Sequence, residues 1–483
     1  MAFKKLVKGA SLLTTSQLLV ALCTFFRNII VARLISVEDY GIATIFALTV
    51  SLIEMSGNMA FDRILVQDKK GSSDDMLASA HLLQWSKSFV MALILFLLAS
   101  PVANLFELPE LIWAFQILAL IPFIKGFTHF DSVTQQRDLK FTATAYIDSI
   151  PQIVVIAAAY PLARWLGDYR VMLVIVIAQT AVSVLLSHLL ATRPYRWTIN
   201  KELIYKKLNF GWPLLINGLL MFAIFQGDKA IIGAQYSMEI LGWYGAAFAL
   251  TMMPTLLFAK VSGFLLLPVL SKSRDDESKF ISLGMLSIVF CTSVAVFCAI
   301  FFTIGGAAFI NLSYGEKYLA GGTVIAILGL MQGLRIIRIA PTVMATSQAD
   351  TKNPMYSNIV RTVALILALI FAYYKLSVEW IALSGLIGEV FALIAALYLL
   401  KLPSSKSKYI NCMLIQLFVS SAICAFVYFA VPVPDLSSLS STLIRLVEAV
   451  MASLVLGIFV AMVDNTTRQF VIQQYRRLLN RAS

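Results

Sequence analysis

Apolar residues recur along nearly the whole chain in long continuous runs, without the period-two alternation of a half-buried strand. Charges, Pro or Gly bound each run, and most runs can cross about 30 Å of hydrocarbon, which takes about 20 helical residues. Lipid offers no partners to backbone polar groups, so a spanning segment is a helix or part of a closed barrel. Continuity selects helices. The runs predict fourteen spans, at about 10–35, 40–60, 81–100, 111–130, 142–163, 171–191, 210–234, 241–270, 280–310, 320–346, 355–374, 379–400, 410–431 and 441–463. The eighth and ninth exceed a straight crossing, so tilt is expected, with Pro254 as a kink point.

The composition agrees. A content of 59% hydrophobic and 13% charged residues lies far from the roughly 45–50% apolar and 25% charged of soluble domains. The two or three soluble domains that 483 residues would otherwise allow are excluded. A net charge of +12 raises the question of nucleic acid, and the placement of the charge answers it. With the N-terminus in the cytoplasm, 24 of the 38 Lys and Arg fall in cytoplasmic segments, 5 in outer ones and 9 inside spans. That asymmetry is the positive-inside pattern. It predicts cytoplasmic N- and C-termini and no nucleic-acid partner. Lys4, Lys5 and Lys8 precede a run too long for a signal peptide and without a small-x-small site, so a retained first helix is expected. Cys23, Cys291, Cys298, Cys412 and Cys424 lie in apolar runs without metal spacing and count as small apolar residues.

The chain also echoes itself. Ile35-Ser-Val-Glu-Asp-Tyr-Gly41 follows the first span, and Tyr236-Ser-Met-Glu-Ile-Leu-Gly242 follows the seventh, 201 residues later. Six spans separate the copies, so they share an orientation, as parallel repeats about an axis along the membrane normal do. This predicts two six-helix lobes, residues 1–200 and 201–404, with residues 405–483 as two further helices and a basic tail.

Enzymatic signals are missing from the sequence. It has neither a G-x-x-x-x-G-K-[ST] loop nor an H-E-x-x-H pair, and no outer segment is long enough for a catalytic domain. His81, His129 and His188 are scattered singly near span ends and read as structural. Charges inside spans carry more information, because each costs roughly 2.5–3.5 kcal/mol at a helix centre. Lys87, Arg361 and Arg445 lie near span ends and are expected to snorkel to the surface, with Lys125 and Lys260 borderline. Arg27, Asp228, Lys229, Arg335 and Arg338 lie deeper, and the 201-residue offset sets Asp228 against Arg27. Arg335 and Arg338, spaced i, i+3, share a helix face and repel unless an anion bridges them. Phosphate suits the guanidinium fork. Arg27, Lys229, Arg335 and Arg338 are therefore the candidate cavity cations that bind substrate. Glu54, Asp148, Asp228 and Glu389 are the candidate ion-coupling groups or charge partners. Buried ion pairs holding helices together are the alternative; the excess of cations over acids favours a cavity.

Several segments carry a family resemblance: Ala32-Arg-Leu-Ile-Ser-Val-Glu-Asp-Tyr-Gly41, Leu65-Val-Gln67, Gln136-Arg-Asp-Leu-Lys-Phe141, Asp228-Lys-Ala-Ile-Ile-Gly233 and Leu267-Pro-Val-Leu-Ser-Lys272. In these the chain resembles the polysaccharide-flippase branch of the multidrug/oligosaccharidyl-lipid/polysaccharide exporter superfamily, the Wzx-type O-antigen and exopolysaccharide translocases. The resemblance implies an all-α integral membrane protein of the bacterial inner membrane, with two six-helix lobes around a cationic cavity. It implies a transporter, not an enzyme, that flips an undecaprenyl-pyrophosphate-linked oligosaccharide outward by alternating access. A proton or sodium ion would couple the cycle. Membrane lipids and a polysaccharide polymerase are the other expected partners, and no cofactor or metal is expected. The alternatives are a cation-coupled drug exporter, a lipid II flippase of the same superfamily, and a polymerase or ligase, which would need a large outer loop.

Overall fold

A computed structural model describes residues 2–401 apart from 58, 60, 69 and 70, together with 436 and 438–463. The helices are α1 (Ala2–Leu34), α2 (Val37–Ser56), α3 (Phe61–Gln67), α4 (Asp74–Leu105), α5 (Ile112–Leu118), α6 (Leu120–Lys125), α7 (Asp131–Arg137), α8 (Thr142–Leu166) and α9 (Arg170–Leu189). They continue with α10 (Lys201–Gln235), α11 (Met238–Lys272), α12 (Glu277–Tyr314), α13 (Gly322–Ser347), α14 (Lys352–Arg361), α15 (Val363–Tyr373), α16 (Val378–Tyr398) and α17 (Leu439–Val463). The described residues contain helices and no strands.

Twelve helical stretches of the described residues are long and apolar enough to cross a membrane. They correspond one to one with twelve of the fourteen expected spans. The thirteenth, at 410–431, lies outside the described residues. Over the fourth, 111–130, the chain forms two short helices in succession, α5 and α6, joined at Ala119. Pro122 has no N–H to offer the Leu118 carbonyl four residues back, and its ring crowds that turn, so α5 stops at Leu118. The α11 helix, by contrast, runs unbroken through Pro254 and Pro268.

The chain divides into two compact units, Met1–Gly242 and Trp243–Ser483. In the first, α1 lies against α8 through a polar ladder. The Ser16 hydroxyl donates to the Ala145 carbonyl (3.2 Å), Gln17 donates to Asp148 (3.1 Å) and Thr24 donates to Gln152 (3.3 Å). Such bonds matter where lipid cannot drive helices together by the hydrophobic effect. In the second unit, α12 packs on α13 and α17, and α13 packs on α16. Its core gathers Ile288, Cys291, Ile336, Ile337, Met344 and Leu393, so Cys291 packs as a small apolar residue among larger ones.

Helix-start chemistry accounts for the sequence echo. The Ser36 hydroxyl accepts the Asp39 N–H (2.9 Å) ahead of α2, and Ser237 accepts the Ile240 N–H (3.2 Å) ahead of α11. Each serine thus satisfies one of its helix's orphan donors. Glu38 and Glu239 follow in the first turns, where the helix dipole favours an acid. The glycines have a different task. A methyl group on Gly41 would collide with the Met238 carbonyl oxygen, and one on Gly242 with the Val37 carbonyl oxygen. Val37 and Met238 are themselves 201 residues apart, so the two copies meet reciprocally, as surfaces related by a two-fold axis must. Small residues also set the approach of α10 to α2, where Gly218 faces the Met55 carbonyl.

Candidate functional site

The charges inside the spans form distinct constellations. In the second unit, the i, i+3 spacing on α13 aims Arg335 and Arg338 at the same place, and that place holds Glu389 of α16. Arg335 Nε lies 2.5 Å from Glu389 Oε1, and Arg338 Nε lies 3.4 Å from Oε2. A third guanidinium joins them: Arg361 Nε, at the end of α14, lies 2.6 Å from Oε1. Arg361 was expected to snorkel; instead its side chain is 4% exposed, because a buried carboxylate lies within reach. Glu389 itself is 0% exposed, Arg335 9% and Arg338 13%. Arg338 also donates to Asn358 Oδ1 (3.0 Å), and Arg335 lies 5.9 Å from the Phe248 ring centroid. A carboxylate offers about four lone-pair sites, enough for several charge-assisted bonds. The anion expected to bridge Arg335 and Arg338 is thus present in the chain. Three guanidiniums thus gather on one carboxylate.

In the first unit, Arg27 of α1 is buried, and its partners are neutral. It donates to Gln179 Oε1 of α9 (2.9 Å) and to Asn28 Oδ1 (3.2 Å). Among the described residues it has no ion pair. Asp148 accepts from Gln17, and Asp228 accepts the N–H of Lys229 (2.8 Å). Lys229 is the next residue on the same helix, α10.

Glu54 has a different setting. It lines a cavity of ≈ 350 Å³ with Asp62, Lys87, Lys125, Phe61 and Phe130. Lys125 Nζ lies 2.5 Å from Glu54 Oε1, and these side chains stay 47% and 44% exposed. Lys87 points into the same cavity, its Nζ 5.7 Å from the Phe61 ring centroid. Asp62 and Lys87 escaped notice in the sequence because one follows a span end and the other reads as snorkelling. Arg445 does not snorkel either; it donates to the Ile304 carbonyl (3.0 Å) and pairs with Glu448 (3.2 Å).

The three histidines, expected to be scattered, converge. The His81 and His129 rings lie 4.7 Å apart and those of His129 and His188 5.4 Å, with Tyr195 stacked 4.3 Å from His81. His81 Nε2 accepts the Phe130 N–H, so its Nδ1 carries the proton that meets the Arg196 carbonyl (3.2 Å). His129 Nδ1 accepts the Asp131 N–H, so its Nε2 donates to the Arg193 carbonyl (3.0 Å). The His81 and His129 rings are neutral, because a backbone N–H uses the second nitrogen of each as acceptor. Beside them, Asp131 is buried and accepts from Thr192 N–H and Oγ1 (2.8 Å each) and from Gln135 and Thr134 (3.0 Å each). Burial pushes its carboxyl up, and these hydrogen bonds outweigh that and hold it at about 2. These groups fasten the 190–197 segment; they do not form a catalytic array.

Known proteins resemble the chain at two levels. The family described as polysaccharide biosynthesis protein matches residues 30–321. The amylovoran biosynthesis protein AmsL of Erwinia amylovora is 25% identical over 189 residues, 38% of this chain and 48% of that protein. The succinoglycan biosynthesis transport protein ExoT of Rhizobium meliloti (strain 1021) is 23% identical over 316 residues, 63% of this chain and 62% of that protein. The chain thus spans about half to three-fifths of these relatives' lengths. Among solved structures, the lipid II flippase MurJ in an inward closed conformation has a TM-score of 0.70 at 16% identity, covering 91% of this chain and 96% of that one. An inward-facing multidrug resistance transporter of the MATE family, in the MOP superfamily, has a TM-score of 0.63 at 15% identity, covering 78% and 93%. At these identities the likeness is one of fold. The family match covers more than half of the sequence, and on it this multi-pass membrane chain belongs to the polysaccharide biosynthesis protein family.

Proposed function

We propose that the protein flips an undecaprenyl-pyrophosphate-linked oligosaccharide, a repeat unit of O-antigen, capsule or exopolysaccharide, from the cytoplasmic to the outer leaflet. The bacterial inner membrane is its site, with both termini cytoplasmic. The family match carries this reading, because it ties a transporter fold to polysaccharide assembly. The charge distribution supports it. Arg27 is buried among neutral amides, so its span holds cation charge that a diphosphate would neutralise. Arg27, Lys229, Arg335 and Arg338 are the counter-charges in this scheme, with Glu389 the resident anion that holds two of them between transport cycles. Coupling to a proton or sodium ion falls to Glu54, Asp148 or Asp228, since guanidiniums already occupy the surroundings of Glu389. A polysaccharide polymerase receives the flipped unit.

The fold likeness to the lipid II flippase MurJ supports a second reading, with lipid II as cargo. One experiment tests both. Deletion in a polysaccharide-producing host is expected to trap a lipid-linked oligosaccharide in the cytoplasmic leaflet while peptidoglycan synthesis continues. Arrested peptidoglycan with normal surface polysaccharide would select lipid II, and no trapped lipid of either kind would sink the flippase reading.

A further inference from the structure

We propose that the first unit's cavity is a sugar subsite, which takes a hydroxyl-rich ring at the glycan end of the cargo; the proposal rests on the flippase reading above. The cavity lies among α2, α3, α4 and α6, and its ≈ 350 Å³ falls in the range of about 300–1,000 Å³ that holds small ligands.

The arrangement of charge decides the ligand class. Glu54 and Asp62 are acids, Lys87 and Lys125 are bases, and the four sum to zero around one space. A phosphate entering here meets two carboxylates, and a cationic amphiphile meets two ammonium groups; like charges brought together penalise either guest. An apolar guest would strip water from four ionised groups with nothing in return. A sugar ring meets neither objection. Its hydroxyls donate to carboxylates and accept from ammonium groups, often through the same atom. Gln84 and Ser88 line the cavity as further polar groups, and the edges of the buried Phe61 and Phe130 close its apolar side.

A second observation separates this cavity from a structural ion cluster: its charges are not consumed by the protein. Glu54 and Lys125 pair, yet nearly half of each side chain stays open. Lys87 and Asp62 line the cavity without an ion pair among the described residues. Ionised groups that face a cavity inside a membrane unit mark a substrate path more often than a structural role.

The test uses the full chain in lipid nanodiscs and three probes: farnesyl diphosphate and its glucosyl and galactosyl derivatives. Wild type is expected to bind at least one glycosylated probe about tenfold or more tighter than farnesyl diphosphate. Lys87→Gln and Asp62→Asn are expected to abolish that sugar-dependent gain and leave the affinity for farnesyl diphosphate within twofold. Neither residue has an ion pair to lose, so both variants should melt as wild type does. Glu54→Gln combined with Lys125→Met should lose the same gain. The subsite is overturned if the sugars add nothing to wild-type affinity, if the gain survives in the variants, or if the variants weaken all three probes alike. If wild type binds none of the probes, the flippase reading falls and the subsite falls with it.

Discussion

Two charged constellations, one of arginines on a glutamate and one of lysines among acids, behave in opposite ways in the two units. Around Glu389, three guanidiniums are drawn into a nearly solvent-free cluster, in which Arg335 and Arg361 close on one carboxylate oxygen and Arg338 stands 3.4 Å from the other. Around Glu54, two carboxylates and two ammonium groups line an open cavity, and half of them have no ionic partner among the described residues. Residue type and water access differ together. A dry cluster has to supply its own counter-ion, and the arginine fork suits that task because it keeps its charge and its planar geometry when buried. A wet pocket can leave lysines and acids facing water, ready to exchange one partner for another. Charge inside a membrane span therefore has two meanings, and neighbouring carboxylates tell them apart better than depth does.

The largest effect should come from the dry cluster. Glu389→Gln leaves three guanidiniums without their anion, and breaking a buried pair costs about 3–5 kcal/mol. Thermal unfolding in detergent should show a large drop in melting temperature, and an unchanged melt would erase the contrast between the two constellations. Next comes the first unit's own fixed anion. Asp131→Asn removes charge-assisted bonds worth about 1.5–3 kcal/mol. The native carboxyl sits at about 2, below the unfolded value of about 3.9. Its stabilisation is therefore complete above the unfolded value and lost as pH falls through about 2. Wild type and variant should converge in stability there and separate at neutral pH.

A smaller loss is expected at Gly41→Ala. The methyl meets a backbone carbonyl that cannot rotate away; overpacking costs about 1–3 kcal/mol, against about 1 kcal/mol gained from helix propensity. Gly242→Ala should behave the same way, since its contact is the mirror of the first. The smallest stability change belongs to the wet pocket. Glu54→Gln with Lys125→Met should cost under about 1 kcal/mol, because exposed pairs contribute little, yet export of surface polysaccharide should fall. Normal export in that variant would leave the pocket without a role in transport.

Much of this was legible in the sequence. Hydrophobic run length located twelve spans, because lipid thickness is a fixed ruler, and the echo marked two serine-capped helix starts. The break inside the fourth span was not legible, because run length overlooks a proline's missing donor at Pro122. The histidines were undervalued because each was weighed on its own. His81, His129 and His188 all lie at span ends on the same expected side of the membrane, a coincidence that topology alone makes visible. Arg361 was misjudged for a related reason. Distance from a span end says whether a side chain can reach water; it does not say that a carboxylate on another helix is closer. The pocket needed three dimensions, since Glu54, Lys87 and Lys125 come from different helices and nothing in their spacing joins them.

The paired glycine contact has a mechanical consequence. The atoms nearest Gly41 are all backbone, and Gly242 meets the Val37 backbone and its Cγ1 methyl. What holds the contact is therefore dispersion and weak C–H to oxygen attraction, which depends on distance alone, so the fit survives any change of surface charge or pH and fails only when something larger than hydrogen is put between the two backbones.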